Sequence, residues 1–452
     1  MTGNSFRKYG FAALLLFSGC AGASGLETSY WAWQRNEPPS AAEMEELKSQ
    51  GVRAIYWQIG ELVESGATWR WSARFQLPAN TPETRFVPVV RLESRERAPF
   101  SPEANVSLLS ALAAVAKGND ELQLDYDAPD RLLRDYAGIL KEIHKLVPRL
   151  SVTALPHWAR PAAVRELKGA ADEMLVMLYD FEPDPKGGAP LPLISPPKVD
   201  RYLADWNASG LPWRAGLPVF ARATVMDANN KSRGHVREWS WDDICFNSAL
   251  EIVSPTNLGV TMFRAKRDTR LEDAAVRAGQ IVVTRLPDRA ALSHAAAAAP
   301  IANARGVVFF RFPDSTDPSG WSLRQLGHLD AVPHLSVRID TDKSTIELAN
   351  NTDADLAFSA SADGRGYALQ IEAPAAIFRD ASAGDFWRVA GDADGRAVTI
   401  QLATRLTFWF SHLRAHEVLR TGTIRLAPTA NFAEAHWRIL NFAPQSQPQS
   451  LP

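Results

Sequence analysis

The sequence predicts an α/β protein, a (β/α)8 TIM barrel followed by a C-terminal antiparallel β-sandwich. Three observations point there. Eight short β-rich runs, joined mostly by helix-length segments, occupy residues 28–312. Past about His328 the texture changes to short strands between Asp, Asn and Gly turns, with no obvious helix. At 452 residues and 46% hydrophobic content, the chain is too long for one small domain and has ample apolar material for a large core.

The eight runs are Thr28–Trp33, Arg53–Ile59, Phe86–Leu92, Glu121–Asp127, Leu150–Leu155, Glu173–Tyr179, Ala215–Ala221 and Gly306–Phe312. Ser40–Gln50 reads as the first helix, with Ser40 as N-cap and Glu43 three residues on, a capping box. Ser101–Lys117 is a second. Asp130–Val147 is the clearest, because Leu132, Leu133, Tyr136, Leu140, Ile143 and Val147 fall on one stripe and Pro148 stops it. Pro161–Ala171 and Val199–Ser209 follow. Two places break the alternation. Thr68–Gln76 alternates like a strand, so a hairpin replaces a helix between the second and third runs. Met226–Arg305 is a long excursion with apolar Gly259–Phe263 and Ile281–Leu286, an extra hairpin, and an Ala-rich helix around Ala290–Ala299. Beyond it, Leu335–Ile339, Thr345–Leu348, Tyr367–Ile371, Ala397–Leu402, Leu406–Ser411 and Thr423–Leu426 are the sandwich strands. The expected organisation is a signal peptide over 1–20, the barrel over 27–328, the sandwich over 333–443 and a disordered polar tail over 444–452.

The N-terminus carries Arg7 and Lys8, then a short apolar stretch from Phe11 to Phe17 and small residues before Cys20, which is the pattern of an export signal. Phe17-Ser18-Gly19-Cys20 resembles a bacterial lipobox. The resemblance implies cleavage before Cys20, lipidation of its thiol and, with Ala21 rather than Asp beside it, sorting to the outer membrane of a Gram-negative cell. The alternative is an ordinary signal peptide cut near Ala23 or Ser24, giving a periplasmic or secreted protein. Cys245 is the only other cysteine, so the mature chain has no internal disulfide. A net charge of −2 without a basic face excludes nucleic acid as the expected partner. Fourteen Trp, eleven of them before residue 330, supply candidate platforms for sugar rings, although Trp is also a large core residue.

The run Glu121–Asp127 alternates strictly. Leu122, Leu124 and Tyr126 take one face and Glu121, Gln123, Asp125 and Asp127 the other. Unpaired carboxylates are costly to bury, so such a stripe survives only where water, partners or ligand reach it. In a barrel the site forms at the C-terminal strand ends. Those ends offer Trp31, Trp33, Gln58, Glu61, Arg91, Glu93, Asp125, Asp127, His157, Trp158, Tyr179, Asp180, Glu182, Arg222, Arg311 and Asp314. Carboxylates and aromatics converge on one mouth.

Two motifs carry a resemblance. Leu124-Asp125-Tyr126-Asp127 resembles the Asp-x-Asp core of glycoside hydrolase family 18, the chitinase-like barrels, and Met177-Leu178-Tyr179-Asp180 resembles that family's Met-x-Tyr-Asp. The outline over Thr28–Asp314 is also similar to domain of unknown function 3142. The resemblance implies that Asp127 grips the substrate acetamido group, Tyr179 is its hydrogen-bonding partner and Asp125 tunes Asp127. Where the family places its general acid, Glu, this chain has Pro129, which has no proton to give.

Three readings stay open. Asp127 is the acid, its pKa raised by Asp125 ~6.5–7 Å along the strand, with Asp180, Glu93 or Glu61 as base or nucleophile. Or the barrel binds a β-linked polysaccharide without cutting it. Or the acidic cluster is structural or holds a cation. Other chemistries lack their motifs: there is no Gly-rich phosphate loop, GxSxG elbow, HExxH or Cys/His cluster, so no cofactor and no metal are expected.

Overall fold

The structure is a computed structural model. It describes residues 27–451 apart from 180–183, 186–187, 228, 230, 315–318, 362–363, 429 and 433. The expected signal segment and Cys20 lie outside the described residues, as do Asp180 and Glu182.

Eight parallel strands close into a barrel: β1 (Glu27–Ala32), β2 (Ala54–Glu64), β3 (Arg85–Glu93), β4 (Glu121–Asp125), β5 (Arg149–Ala154), β6 (Glu173–Met177), β7 (Trp213–Pro218) and β8 (Gly306–Phe310). Neighbours pair in order around the ring, and β1 pairs with both β8 and β2, which closes it. All eight expected runs are strands. The crossover helices are α1 (Ala41–Ser49), α2 (Pro102–Ala116), α3 (Leu133–Ile143), α4 (Pro161–Leu167) and α5 (Pro196–Ser209). The capping box forms as read: Glu43 N–H donates to Ser40 Oγ and Ser40 N–H to Glu43 Oε2. The stripe on α3 buries Leu133, Tyr136, Leu140 and Ile143 against the barrel. Each such side chain gains about 1.5–3 kcal/mol over exposure. Between β2 and β3 the strand Trp69–Arg74 folds back antiparallel on β2, the expected hairpin in place of a helix.

The excursion between β7 and β8 is more than one hairpin. It forms a five-stranded antiparallel sheet in the order Ser232–Val236, Arg222–Met226, Ile281–Arg285, Val260–Ala265 and Leu250–Asn257. The pairing of Arg222–Met226 with Ile281–Arg285 joins residues far apart in sequence and leaves no local signal. Gly259 closes a tight turn there: its φ is +76°, and a Cβ would stand 1.7 Å from the Leu286 carbonyl oxygen. The Ala-rich helix runs Arg289–Ile301.

The C-terminal region is antiparallel throughout. A three-stranded and a six-stranded sheet share one core, with Leu335, Val337, Ile346 and Leu348 from the first and Leu369, Ile371, Leu406, Phe408 and Ile439 from the second. The expected strand at Ala397–Leu402 is only Arg396–Val398, followed by a 3-10 turn. The tail read as disordered is docked instead. Gln445 exchanges side-chain hydrogen bonds with the Leu335 backbone, Gln449–Ser450 pairs with His436–Trp437, and Leu451 is buried in the core. Its polar composition hides an amide that satisfies a strand end. Among the described residues no helix is long and apolar enough to cross a membrane.

The N-terminal end of the barrel is plugged by charge. Glu173 on β6 accepts from Arg149 on β5 at 2.5 Å and from Arg214 on β7 at 3.1 Å, and Arg214 reaches Glu27 on β1 at 2.9 Å. Glu121 on β4 pairs with Arg85 and Arg149 and accepts from Ser151. Glu121, Glu173 and Arg214 are buried. The stripe on β4 therefore does not face water along its whole length: Glu121 lies in this sealed network and Gln123 in the dry interior above it. Buried charge is tolerated because each member finds an opposite partner on a neighbouring strand.

Candidate active site

Strand parity sends alternate side chains into the barrel, and the upper interior layers follow from it. Trp31, Ala54, Tyr56, Val87, Val89, Leu175 and Val308 form an apolar plug, with Trp33, Met177 and Phe310 above. The Trp31 indole lies across the barrel. A Cβ on Gly216 of β7 would stand 2.9 Å from its ring, while its Nε1 donates to Gln123 Oε1 on β4 at 2.9 Å. Trp31 is 3% exposed, so it is the floor of the mouth and not a surface platform.

Above that floor, at the C-terminal ends of β2, β3 and β4, stands a row of charge. Cross-strand register places Glu61 beside Arg91 and Arg91 beside Asp125. Arg91 sits 3.8 Å from Glu61 and 4.0 Å from Glu93. Glu61 also accepts from Ser72 of the hairpin at 3.0 Å. Asp125 ends β4 half-buried, and Asp127 lies two residues beyond, open to solvent on one side and crowded by protein on the other. Burial, reinforced by the Asp127 charge, pushes the Asp125 carboxyl up to about 7; Thr153 and Arg91 pull it down and Glu61 pushes it up. Burial also raises Asp127, and Arg91 opposes that.

The far side of the mouth is aromatic. Tyr179, just past β6, stacks on Phe310 with ring centres 5.8 Å apart. Phe310 also meets Trp33 at 6.0 Å and Phe220 at 5.6 Å. A cavity of about 280 Å³ opens beside Tyr179, walled by α5 and the inserted sheet, with Arg222, His235 and Arg285 among its lining residues. Asp125 and Asp127 do not line it. Arg285 reaches Asp184 there at 2.6 Å. Arg222 places its guanidinium 5.3 Å from the Phe220 ring centre. Arg311, one residue past β8, is exposed.

Several residues expected at the mouth are elsewhere. Gln58 is buried and accepts from the Gln34 backbone N–H at 2.9 Å, which pins the chain after β1. Trp158 falls in a 3-10 turn after β5, where it is fully buried with its ring centre 6.3 Å from that of Tyr136. His157, in the same turn, pairs with Asp130 at 3.0 Å and lines a groove between α3 and α4 on the barrel flank. The turn, invisible to a strand-end count, rotates both side chains away. Asp180 lies outside the described residues. Thr153, an inward residue of β5 beside Asp125, is the site residue that sequence reasoning missed; strand parity on β5 would have found it. Among the described residues no group of three or more His, Cys, Asp or Glu side chains is placed to hold a metal ion.

The raised Asp125 carboxyl has a stability consequence. An unfolded Asp titrates near pH 3.9, so between about pH 4 and 7 the folded chain binds the extra proton, and stability falls as pH rises through that window. Asp125→Asn removes the penalty. The variant is expected to be more stable than the parent at pH 8 by about 1–2 kcal/mol, after discounting for solvent access, and to lose that advantage near pH 4. Thermal unfolding across that range checks it; an equal offset at both ends contradicts it.

No family model matches the chain, so the outline likeness to domain of unknown function 3142 gains no support. No curated protein matches it. Among solved structures, the chain is similar to the C-terminal domain of a putative chitinase from Desulfitobacterium hafniense, with 13% identity, a TM-score of 0.46 and coverage of 67% of this chain and 98% of that one. It is similar to a glycoside hydrolase family 18 N-acetylglucosaminidase from Paenibacillus barengoltzii, with 13% identity, a TM-score of 0.43 and coverage of 68% and 100%. A Cycas revoluta family 18 chitinase in complex with (GlcNAc)4 matches with 15% identity, a TM-score of 0.41 and coverage of 64% and 95%. At these scores the closed barrel rests on this chain's own strand order.

Proposed function

We propose that the barrel mouth binds a β-linked, N-acetylated polysaccharide of the cell envelope or a biofilm, and hydrolyses it through the Asp125–Asp127 pair. One observation carries the reading: two carboxyl groups, Asp125 and Asp127, both pushed above the usual carboxylate range by burial, stand at the C-terminal end of β4, the end where barrel sites form. Arg91 and Glu61 stand beside them, and the Phe310–Tyr179–Trp33 cluster offers rings for sugar contact.

In this reading Asp127, the more accessible of the two and raised by burial, delivers its proton to the glycosidic oxygen as the bond to the anomeric carbon breaks. Glu61 takes a proton from the attacking water, and the water oxygen becomes the new anomeric hydroxyl. Glu61 then releases its proton to solvent and the exposed Asp127 takes one up, which restores the starting state. Tyr179 holds the acetamido group. The lipobox-like Phe17–Cys20 supports placement at the envelope of a Gram-negative cell, anchored through Cys20.

Pro129 favours a second reading, glycan binding without cleavage, because the family's acid position has no proton to give. Isothermal titration and product analysis with N-acetylglucosamine oligomers and their polymers separate the two. Binding with product supports hydrolysis, and binding without product supports the second reading. Neither binding nor product from any β-linked N-acetylated glycan contradicts both.

A further inference from the structure

Two irregularities in strand register flank Glu61, one on each side. On β2, Ala54 and Tyr56 point into the barrel, and Gln58 lies opposite Val89 of the same interior layer. Unbroken alternation would then turn Glu61 outward, to the helix side. The register shifts instead. Gln58 opposes Val89 and Gly60 opposes Val90, so Ile59 is an extra residue. Past this bulge Glu61 stands beside Arg91 on the inner face, and Leu62, opposite Leu92, joins the outer core. The second shift is in the hairpin strand Trp69–Arg74. Glu61 opposes Ala73 and Leu62 opposes Trp71, which leaves Ser72 as the extra residue. The Ser72 hydroxyl lies 3.0 Å from Glu61 Oε1 and 3.3 Å from the Glu61 carbonyl oxygen. The other carboxylate oxygen, Oε2, is 3.8 Å from Arg91 Nε.

We propose that Ser72 is a positioning residue for Glu61, and that the hairpin standing in place of a crossover helix is part of the site. The first bulge aims the carboxylate into the mouth. The second brings a hydroxyl to one of its oxygens while Arg91 faces the other, so the carboxylate is held in one orientation. The hairpin is anchored firmly enough to do this. At one end Trp69 stacks on Phe100 with ring centres 5.9 Å apart, its Nε1 donates to the Pro99 carbonyl at 3.2 Å, and its backbone N–H donates to Ser107 Oγ on α2 at 2.8 Å. At the other end the Phe75 N–H donates to the Ile59 carbonyl at 2.8 Å. Between them the hairpin presses against Gly60, where a Cβ would stand 2.4 Å from the Ala73 carbonyl oxygen and 2.8 Å from the Trp71 ring. Only glycine lets the strand come this close. The inference rests on the reading of Glu61 as the base of the proposed hydrolysis, and a base must be aimed at the water it deprotonates.

The test compares the parent with Ser72→Ala, a change at an exposed side chain, on an N-acetylglucosamine oligomer. The expected result is a kcat lower by about 3- to 10-fold, the size of one hydrogen bond, with KM within about twofold and the melting temperature unchanged. Ser72→Thr keeps a hydroxyl and is expected to recover most of the loss. Crystals of Ser72→Ala are expected to show the Glu61 carboxylate turned from its parent orientation. An unmoved Glu61 overturns the proposal, as does a loss that appears in KM alone. A parent protein that binds no glycan and yields no product rejects the functional reading, and the Glu61 orientation in the two crystal structures then decides the positioning claim by itself.

Discussion

Replacing Asp127 by Asn is expected to abolish glycan turnover and to weaken binding of N-acetylglucosamine oligomers by about 10- to 100-fold. The change keeps the shape and removes both the charge and the transferable proton. A hydrogen bond from a sugar amide or hydroxyl to a carboxylate contributes about 1.5–3 kcal/mol, which is the source of that factor. Stability is expected to stay within about 0.5 kcal/mol or to rise, because Asp127 reaches solvent and its surroundings already disfavour the charged form. Calorimetric titration, product analysis and thermal unfolding of the same preparation check all three. Full turnover in the Asn variant sinks the hydrolytic reading. Undiminished binding sinks the placement of the site.

The second large effect lies at the other end of the barrel. Arg214→Met is expected to destabilise the protein by about 3–5 kcal/mol, because Glu173, with no exposure, loses one of its two close cationic partners and Glu27 loses its own. Replacing both members, Glu173→Leu with Arg214→Met, is expected to recover much of that loss, since apolar groups of similar volume suit a buried layer. Denaturant unfolding followed by Trp fluorescence reads both. A double variant no better than the single one contradicts the view that an orphaned charge is the cost. Glycan binding by the folded fraction is expected to be unchanged in either variant, because the plug lies below the apolar layer that separates it from the mouth.

The barrel was legible because its signals are local. Period-two runs, a capping box at Ser40 and the stripe on α3 each decide a stretch of a dozen residues without help from elsewhere. The inserted sheet was not legible, since Arg222–Met226 finds its partner at Ile281–Arg285 only after the intervening chain has folded. The tail was misread for a related reason: Gln445 looks like solvated filler until Leu335 is placed beside it.

At the candidate site, the carboxylates of β4 stood out because an acidic stripe on an apolar strand is expensive. Height along the strand, however, cannot be read from alternation. The same inward face carries Glu121 in the sealed plug, Gln123 in the dry interior and Asp125 at the mouth. Trp31 and Trp158 were placed on the surface by their position near strand ends, but an indole is as well suited to filling a barrel or backing a helix as to meeting a sugar. Thr153 carries no signal of its own. It matters only because Gln123 donates to it from below and Asp125 lies beside it.

The most direct measurement is the electron density of a crystal of the parent protein grown or soaked with an N-acetylglucosamine oligomer. The account predicts a sugar in the mouth, with its acetamido group between Tyr179 and the Asp125–Asp127 pair and a ring against the aromatic wall. Sugar bound only outside the barrel mouth, or an empty mouth at saturating ligand, would contradict it.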